Sequence, residues 1–436
     1  MIRKPQATGT QRGCVDCDGQ SGFGRRSFLK LGAFSFMGMG LLDLLRADVL
    51  AGSAGGRCDS VILVWLGGGP SHIDTWDPKP GHANGGPFKP LATSADGVQI
   101  SEHFPILARN MKHGSLVRSL TSKEGSHERA TYEMHTGYKP LASIKHPSLG
   151  SLAAHEMDKK NADLPSYISI GGSSWGAGFL GAKAAPFMIG DPNNPMRNVK
   201  VPDGVNQGRY NNRMQLLRSL DAPFAMQERH QVVLDYGGHF NDAVQLMYSQ
   251  SVKAFDLKNE NPAVVARYGN DGFAKSCLIA RRLVEAGVRF VEVSLGGWDT
   301  HNDAFKTALP NLSRRLDTGL GNLVEDLAAS GKLDSTMILC TGEFGRTPQI
   351  NNRDGRDHYP RVWSAFVAGG GIKKGHVHGS SDEAGAAVKD APVRPGDLHA
   401  TMFELMGVDY RKENFSKDGR PIKVVNEGEP IKALIS

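Results

Sequence analysis

Cysteine is scarce in this chain, with five in 436 residues, and long uninterrupted apolar runs are missing. The scarcity excludes a disulfide-stabilised scaffold. A mean hydropathy of −0.33 and 22% charged residues exclude a multi-span membrane protein and are typical of a globular one. Cys14 and Cys17 form a lone C-x-x-C, and no second pair completes a zinc site. Cys58, Cys277 and Cys340 lie at or inside apolar stretches, so we expect buried free thiols.

A large excess of one charge is also missing. The chain has 51 Lys and Arg against 45 Asp and Glu, a net charge of +6. The first 57 residues contain eight of the basic and four of the acidic residues, which leaves only +2 for residues 58–436. The basicity therefore belongs largely to the amino-terminal leader and gives no reason to expect nucleic acid as a partner.

Residues 1–57 have the features of an export signal. Gly24-Arg25-Arg26-Ser27-Phe28-Leu29-Lys30 precedes a mildly apolar run at 31–45, and small residues follow around Ala51. This pattern predicts a cleavable signal peptide that resembles the twin-arginine type, with the twin-arginine export machinery as a partner. Lys30 and Asp43 leave fewer than the ~20 apolar residues that a permanent membrane span needs. We expect a protein exported to the periplasm or cell envelope, and cleavage would remove any redox function of Cys14 and Cys17.

Glycine, by contrast, is abundant, with 53 residues that cluster after apolar runs. Residues 60–66 (SVILVWL), 288–294 (VRFVEVS) and 362–368 (VWSAFVA) each lead into glycines, as buried parallel strands often do. Amphipathic helices are predicted at 272–286 and 312–327. We therefore predict an α/β fold with one domain over residues 58–436. Residues from about 175 to 265, rich in Asn, Arg, Pro and Met, are predicted to form an α-rich insertion that caps the sheet.

Acidic and histidine side chains follow several of these strands. In open α/β sheets, ligands bind at the carboxyl ends of the strands, and carboxylate with imidazole suits a divalent metal. The candidate metal ligands are Asp74, Asp299, His301, Glu343, Asp357 and His358. Arg346 and Arg356, in the stretch TGEFGRTPQINNRDGRDHYP at 341–360, suit an anionic group. A surface loop with solvated charges is the alternative for that stretch.

The turn after residues 116–120 leads into a predicted helix at 130–135. Thr121, Ser126 and His127 lie in this turn, where a helix amino terminus can stabilise an anion. They are candidates for a nucleophile, a metal ligand or a phosphate or sulfate contact. Ser126 as a simple helix N-cap is the alternative.

Six motifs between about residues 60 and 409 resemble a known superfamily in their order. They are GGGPSHIDTWDPKP, SHERATYEMHTGY, GGWDTH, GEFGRTP, GRDHYP and DLHATMFELMGV. Together they resemble the alkaline phosphatase superfamily, and within it a family of uncharacterised, twin-arginine-exported, sulfatase-like bacterial proteins. The resemblance implies a three-layer α/β/α sandwich with a mostly parallel central sheet and a metal site at its carboxyl edge. It further implies a metal-binding Asp after the first strand and a nucleophile in the turn after the second.

The chain departs from that superfamily at two points. Glu343-Phe344 stands where adjacent Asp-His is usual, and Asp357-His358 in the next loop is the candidate source of the missing imidazole. No C-x-P/A-x-R motif precedes residues 136–137, which disfavours a formylglycine sulfatase. Ser126, Thr121 and a metal-bound water therefore remain open as the attacking group.

The sequence hypothesis is an exported metal-dependent hydrolase of phosphate or sulfate esters. One or two divalent ions would bind, and histidine among the ligands favours Zn or Mn over Ca. Ser126 and His127 would act in catalysis, while Arg346 and Arg356 would balance charge on the transferring group. The substrate would be an anionic small molecule or a glycan ester. The alternative is a non-catalytic exported protein that binds metal or glycans on a degenerate fold.

Overall fold

β1 (Ser60–Trp65) lies inside an eight-stranded central sheet of the computed structural model. The structure describes residues 56–161, 163–172, 175–195, 197, 204–227 and 246–436. The predicted twin-arginine signal with Cys14 and Cys17 lies outside the described residues and stays a prediction. Cys58, Cys277 and Cys340 are buried free thiols, as predicted.

The other strands of the sheet are numbered in chain order. They are β2 (Gly114–Leu120), β3 (Tyr167–Ile170), β4 (Phe187–Ile189), β5 (Phe290–Ser294), β6 (Thr336–Thr341), β7 (Trp363–Ala368) and β8 (His376–His378). Their order across the sheet is β8-β2-β7-β6-β1-β5-β3-β4. β1 pairs in parallel with β5 and β6, whereas β7 pairs antiparallel with both β6 and β2. The sheet is therefore mostly parallel, as the sequence predicted.

Four short two-stranded ribbons accompany the sheet. They are Pro90–Ala92 with Gln99–Ser101, Gly345–Arg346 with His358–Tyr359, Ser380–Ser381 with Val388–Asp390, and Glu413–Phe415 with Pro421–Lys423. The α-helices of the described residues are α1 (Pro105–Asn110), α2 (His127–Thr136), α3 (Leu149–Glu156), α4 (Gln207–Gln227), α5 (Pro262–Tyr268), α6 (Gly272–Glu285), α7 (Leu309–Leu316), α8 (Asn322–Ala329) and α9 (Pro395–Leu405). In the described part of the chain, no helix combines the length and apolar character that crossing a membrane requires.

Helices cover both faces of the sheet because successive side chains of a strand point to opposite sides. Ile62 and Val64 of β1 belong to a core that contains Leu278 of α6 and Leu323 of α8. Their neighbours in β1 belong to a second core with side chains of α3 and α9, including Leu152. Each fully buried leucine or valine contributes about 1.5–3 kcal/mol relative to an exposed one. Two cores around one sheet confirm the predicted three-layer α/β/α architecture.

The segment at 175–265 contains more than helix. α4 lies in it and α5 starts in it, but β4 also comes from this segment and pairs in parallel with β3 at the edge of the sheet. A strand of three residues is too short to show the alternation that marks a strand in sequence. The predicted capping role of the segment stays a prediction.

The predicted packing helix at 312–327 is present as α7 and α8, joined by a π-helical turn at Asp317–Gly321. Within that turn, the buried Asp317 carboxylate accepts hydrogen bonds from the backbone N–H groups of Ile106 (3.0 Å) and Leu107 (2.8 Å). The carboxylate thus satisfies the first N–H groups of α1, which have no partner within their own helix. Burial raises the pKa of Asp317 to about 6, against these stabilising hydrogen bonds.

Asp317 is expected to make stability depend on pH. Its folded-state pKa lies above the ordinary value of 3.8, so between these values the folded chain binds more protons than the unfolded chain. Its stabilising contribution is present at low pH and is lost as the pH rises through about 6. Relative to Asp317→Asn, the unfolding free energy of the wild type should fall by about 2 kcal/mol between about pH 4.5 and pH 7.5.

Urea unfolding of both proteins at the two pH values measures this difference. Asp334→Asn, at an exposed position, is the matched control and should show no such dependence. An Asp317→Asn protein whose stability changes with pH in parallel with the wild type would contradict a raised pKa.

Candidate metal centre

The loops that follow four strands meet at one edge of the sheet. β1, β5 and β6 are parallel to one another, and β2 shares their direction because both β2 and β6 are antiparallel to β7. α2 begins just after β2, and the second ribbon strand, at 358–359, returns to the same edge. These elements bring together His127, Asp299, His301, Glu343 and His358. The predicted meeting of strand-end loops is therefore observed for these residues.

Three imidazole rings surround one oxygen of Asp299. Its Oδ1 lies 3.0 Å from Nε2 of His301, 3.2 Å from Nε2 of His127 and 3.3 Å from Nε2 of His358. The Nε2 atoms of His301 and His358 are 3.0 Å apart. Nitrogen and oxygen donors converge at one point, which is the arrangement of a metal site.

The outer nitrogen of each ring faces an oxygen. Nδ1 of His127 lies 2.6 Å from Oε1 of Glu343, and Nδ1 of His301 lies 2.7 Å from Oδ1 of Asp357. Nδ1 of His358 lies 2.9 Å from the carbonyl oxygen of Gly125. Since each of these oxygens can only accept, we assign the proton of each neutral ring to Nδ1. All three Nε2 atoms then carry the lone pair, and each lies within 3.3 Å of Asp299 Oδ1.

Glu343 is a buried carboxylate with one satisfied oxygen. Oε1 accepts hydrogen bonds from His127 and from the backbone N–H of Gly68 at 2.9 Å. Oε2 is buried without a hydrogen-bond partner in the described chain, and the side chain is 2% exposed. Buried polar atoms are almost always paired, so an unpaired carboxylate oxygen indicates room for a water or a cation.

Arg346 is fully buried beside the cluster, and all five of its N–H groups are engaged. Nε donates to the Gly69 carbonyl at 2.8 Å. NH2 donates to the Gly68 carbonyl and to Asp299 Oδ1. NH1 donates to the Arg356 carbonyl at 3.2 Å and to His301 Nε2 at 3.2 Å. Arg346 therefore connects the loop after β1 to the histidine cluster. In this arrangement it has no donor left for a substrate, although the sequence predicted one.

Charges, hydrogen bonds and burial shift the pKa values of three residues in the cluster. Partial burial opposes ionisation of Asp299, but the hydrogen bond and charge of Arg346, together with His127, lower its pKa to about 2. The hydrogen bond to Glu343 raises the pKa of His127. Burial lowers the pKa of His358, which favours the neutral ring. The shifts of Asp299 and His358 favour the ionised carboxylate and neutral imidazole that metal binding requires, whereas the shift of His127 favours its protonated ring.

Asp74 and Arg356 pair with each other instead of joining the cluster. Both are buried, and Arg356 donates from Nε to Oδ2 of Asp74 at 2.7 Å and from NH2 to Oδ1 at 3.1 Å. The remaining N–H groups of Arg356 donate to the backbone carbonyls of Asn84, Thr347 and Pro348. Both oxygens of Asp74 and all five donors of Arg356 are thus committed to protein partners. The charge of Asp74 is therefore balanced by Arg356, away from the histidines.

Ser126 precedes His127 at the start of α2. It occupies the N-cap position, but its side chain makes no capping hydrogen bond, and the residue is exposed. The alternative interpretation, a serine whose hydroxyl caps the helix, is therefore not what the structure shows.

Three further contacts to the cluster had no signal in the sequence. The Gly125 carbonyl and the Gly68 N–H act through the backbone, which no residue pattern reveals. Asn351 donates to the His301 carbonyl at 3.1 Å and to Asp357 Oδ1 at 3.2 Å, and so joins the two loops. An asparagine in a loop rich in Asn and Gly is most simply interpreted as a turn residue, which hides this role.

The fold and the cluster define an α/β protein with a candidate metal centre at the carboxyl edge of its sheet. Residues 58–435 match the family described as "Protein of unknown function (DUF1501)", and the chain belongs to that family. A search of curated proteins found no match.

Several solved structures are similar to this chain at low identity. The PsFucS1 sulfatase from Pseudoalteromonas sp. is 15% identical over 80% of this chain and 68% of its own, with a TM-score of 0.38. An alkaline phosphatase superfamily protein from Vibrio parahaemolyticus is 11% identical over 81% and 67%, with a TM-score of 0.38. The phosphonate monoester hydrolase SpPMH from Silicibacter pomeroyi is 12% identical over 86% and 76%, with a TM-score of 0.36.

Proposed function

We propose that the cluster binds one divalent metal ion through Nε2 of His127, His301 and His358 and a carboxylate oxygen of Asp299. The observation behind this proposal is that three imidazole Nε2 atoms lie within 3.3 Å of one carboxylate oxygen, a group of acceptors that a cation satisfies. In the described part of the chain, His127, Asp299 and His358 place one ligand atom each within 4.8 Å of one another. The buried Oε2 of Glu343, which has no hydrogen-bond partner among the described residues, is a further acceptor in this cluster.

The chemistry of the ligands favours particular metals. Imidazole nitrogen with a single carboxylate suits Zn or Mn, whereas Ca prefers oxygen ligands throughout. Three histidines and one aspartate also make four ligands, the number that zinc takes in most protein sites.

Glu343 and Asp357 are assigned an outer role. Each accepts a hydrogen bond from Nδ1 of a histidine, and such partners fix the orientation of the ring and raise the basicity of the other nitrogen. We propose this role in place of the direct ligation expected from the sequence. Because Arg356 uses both oxygens of Asp74, we also propose one ion instead of two.

We further propose that this centre hydrolyses phosphate or sulfate esters. A divalent ion supplies a Lewis acid for an ester oxygen and lowers the pKa of bound water. Ser126 has a free hydroxyl at the amino end of α2, where backbone N–H groups favour an anion, so it and water are the candidate nucleophiles. Arg346 NH1 now donates to His301 Nε2; ligation of that nitrogen would release one N–H for a substrate oxygen.

The substrate class and location follow from the sequence features. An anionic small molecule or a glycan ester suits a centre that holds a cation. The predicted twin-arginine leader would deliver the folded protein to the periplasm or cell envelope.

Turnover of three chromogenic esters tests the proposed activity. The mature protein is assayed with nitrophenyl phosphate, bis-nitrophenyl phosphate and nitrophenyl sulfate, each with Zn, Mn or Ca. We expect turnover with Zn or Mn that is lost in Asp299→Ala. Ser126→Ala should lower kcat by about three orders of magnitude if the hydroxyl attacks, and change it little if water attacks. No turnover by a protein that contains one equivalent of metal would contradict the hydrolase.

One observation favours the second candidate function, a non-catalytic metal- or glycan-binding protein. In this arrangement every N–H group of Arg346 and of Arg356 has a protein acceptor, so only the one N–H that His301 now accepts could be released to a substrate. Metal binding without turnover in the same assay would support this function.

A further inference from the structure

A cleft of about 780 Å³ lies against the loops of the metal centre and has no role in the chemistry proposed above. Its walls combine aromatic rings with carboxylates. The side chains that matter for its chemistry are Phe88, Glu102, His103, Asp303, Phe305 and Asp354.

One wall of the cleft is made by the same two loops that position His301 and Asp357. The backbone N–H of Asp303 donates to the Arg353 carbonyl at 2.9 Å, and that of Ala304 donates to the Asp354 carbonyl at 2.8 Å. The N–H of Arg356 donates to the Thr300 carbonyl at 3.1 Å. A molecule in the cleft would therefore be separated from His127, His301 and His358 by a single loop.

Two exposed aspartates face the cleft from this wall. Asp303 and Asp354 have φ values of 45° and 55°, in the left-handed region that costs energy for any residue with a side chain. Neither carboxylate has an ion pair or a side-chain hydrogen bond among the described residues, although Lys306 lines the same cleft. Carboxylates without a protein partner are available as acceptors for an ammonium or hydroxyl group.

Aromatic rings also line the cleft. The Phe88 ring makes edge contacts with His103 at 4.4 Å and Phe305 at 5.8 Å between centroids. His103 Nε2 is buried without a hydrogen-bond partner in the described chain. The Arg356 guanidinium lies over the Phe305 ring at 5.6 Å, which fixes this ring to the loop of the metal centre.

We propose that the cleft binds an amino sugar, with its ring against Phe88 and Phe305 and its ammonium and hydroxyl groups at Asp303 and Asp354. Glu102 adds a third carboxylate against the single cation of Lys306, which disfavours an anionic group. A metal ion is disfavoured because, among the described residues, the only group of three or more metal-ligating side chains found is His127, Asp299 and His358. If the proposed hydrolase function holds, this sugar is the alcohol part of the ester. The binding itself requires no turnover.

Calorimetric titration of the mature full chain with three monosaccharides tests the cleft directly. The probes are glucosamine, glucose and glucuronate, added to the protein with and without Zn. We expect glucosamine to bind most tightly and glucuronate least. In the double variant Asp303→Asn/Asp354→Asn, the Kd for glucosamine should rise about tenfold. Asparagine is chosen because it tolerates the left-handed conformation, so only the charge changes.

Asp418→Asn, an exposed aspartate in the carboxyl-terminal part of the chain, is the matched control and should bind glucosamine as the wild type does. Equal affinity for glucosamine and glucuronate, no saturable binding, or unchanged binding by the double variant would each overturn the proposal. Zinc content reports separately on the metal centre. A failed ester screen leaves the cleft proposal intact, whereas lost sugar binding leaves the metal proposal intact.

Discussion

Replacing His358 by alanine is expected to reduce bound zinc or manganese from about one equivalent to almost none, because a site built from four side chains loses one of its ligands. His358 is suited to this test, since its Nδ1 faces only the backbone carbonyl of Gly125 and its removal breaks no ion pair of the core. The measurement is elemental analysis after equilibrium dialysis of protein purified without chelator. His376→Ala, at a histidine of β8 outside the cluster, is the control.

A partial loss of metal affinity is expected when Glu343, the carboxylate beside Nδ1 of His127, is changed. Glu343→Gln keeps the size of the side chain and an acceptor for Nδ1 of His127, but removes the charge. Loss of such an outer hydrogen-bond partner typically weakens metal binding by about 10- to 100-fold. If His358→Ala retained its full metal content, the proposed ligand set would be refuted. If Glu343→Gln lost all metal, Glu343 would be a direct ligand instead.

Asp74→Asn is expected to destabilise the protein by about 3–5 kcal/mol while leaving the metal bound. Removing one charge of a buried ion pair leaves the other charge without compensation, and this has a large cost. The carboxylate of Asp74 is fully buried, and both of its oxygens accept from Arg356. Denaturant unfolding measures the loss of stability, and elemental analysis at low temperature measures the metal in the folded variant.

The two measurements separate the predicted roles of Asp74. A metal ligand would lose the ion together with stability, whereas a structural partner of Arg356 loses stability alone. Asp334→Asn provides the control, because the exposed pair of Asp334 with Lys374 should contribute less than about 1 kcal/mol. Loss of metal from folded Asp74→Asn would restore the interpretation drawn from the sequence.

The saturation of Arg346 and Arg356 has a consequence for function. Arginine in a glycine-rich loop after a strand suggests an anion site, and sequence offers no way to count the acceptors around a guanidinium. In the structure, all five N–H donors of Arg346 and of Arg356 have acceptors, which are backbone carbonyls, carboxylates or a histidine. The arginines therefore fix the loops that position the proposed metal ligands. Any help they give to a substrate depends on the one N–H that His301 now accepts.

The sequence by itself determined the fold class and the edge of the sheet where the centre lies. Apolar runs that end in glycine mark buried parallel strands, and this local pattern placed His127, Asp299, His301, Glu343 and His358 at neighbouring strand ends. Their meeting follows from the common direction of β1, β2, β5 and β6. Strand periodicity is a short-range property, so it can be seen without tertiary structure.

Only the tertiary structure decided which partner each polar group has. Asp74 pairs with Arg356 across 282 positions of the chain, and Gly125 sets the tautomer of His358 across 233. The antiparallel direction of β7 and the three-residue strand β4 were equally hidden. Hydrogen bonds and ion pairs depend on distances and angles between atoms, and these are fixed only when the chain has packed. For that reason the sequence could name candidate ligands, while the fold shows which of them meet and which, like Asp74, pair elsewhere.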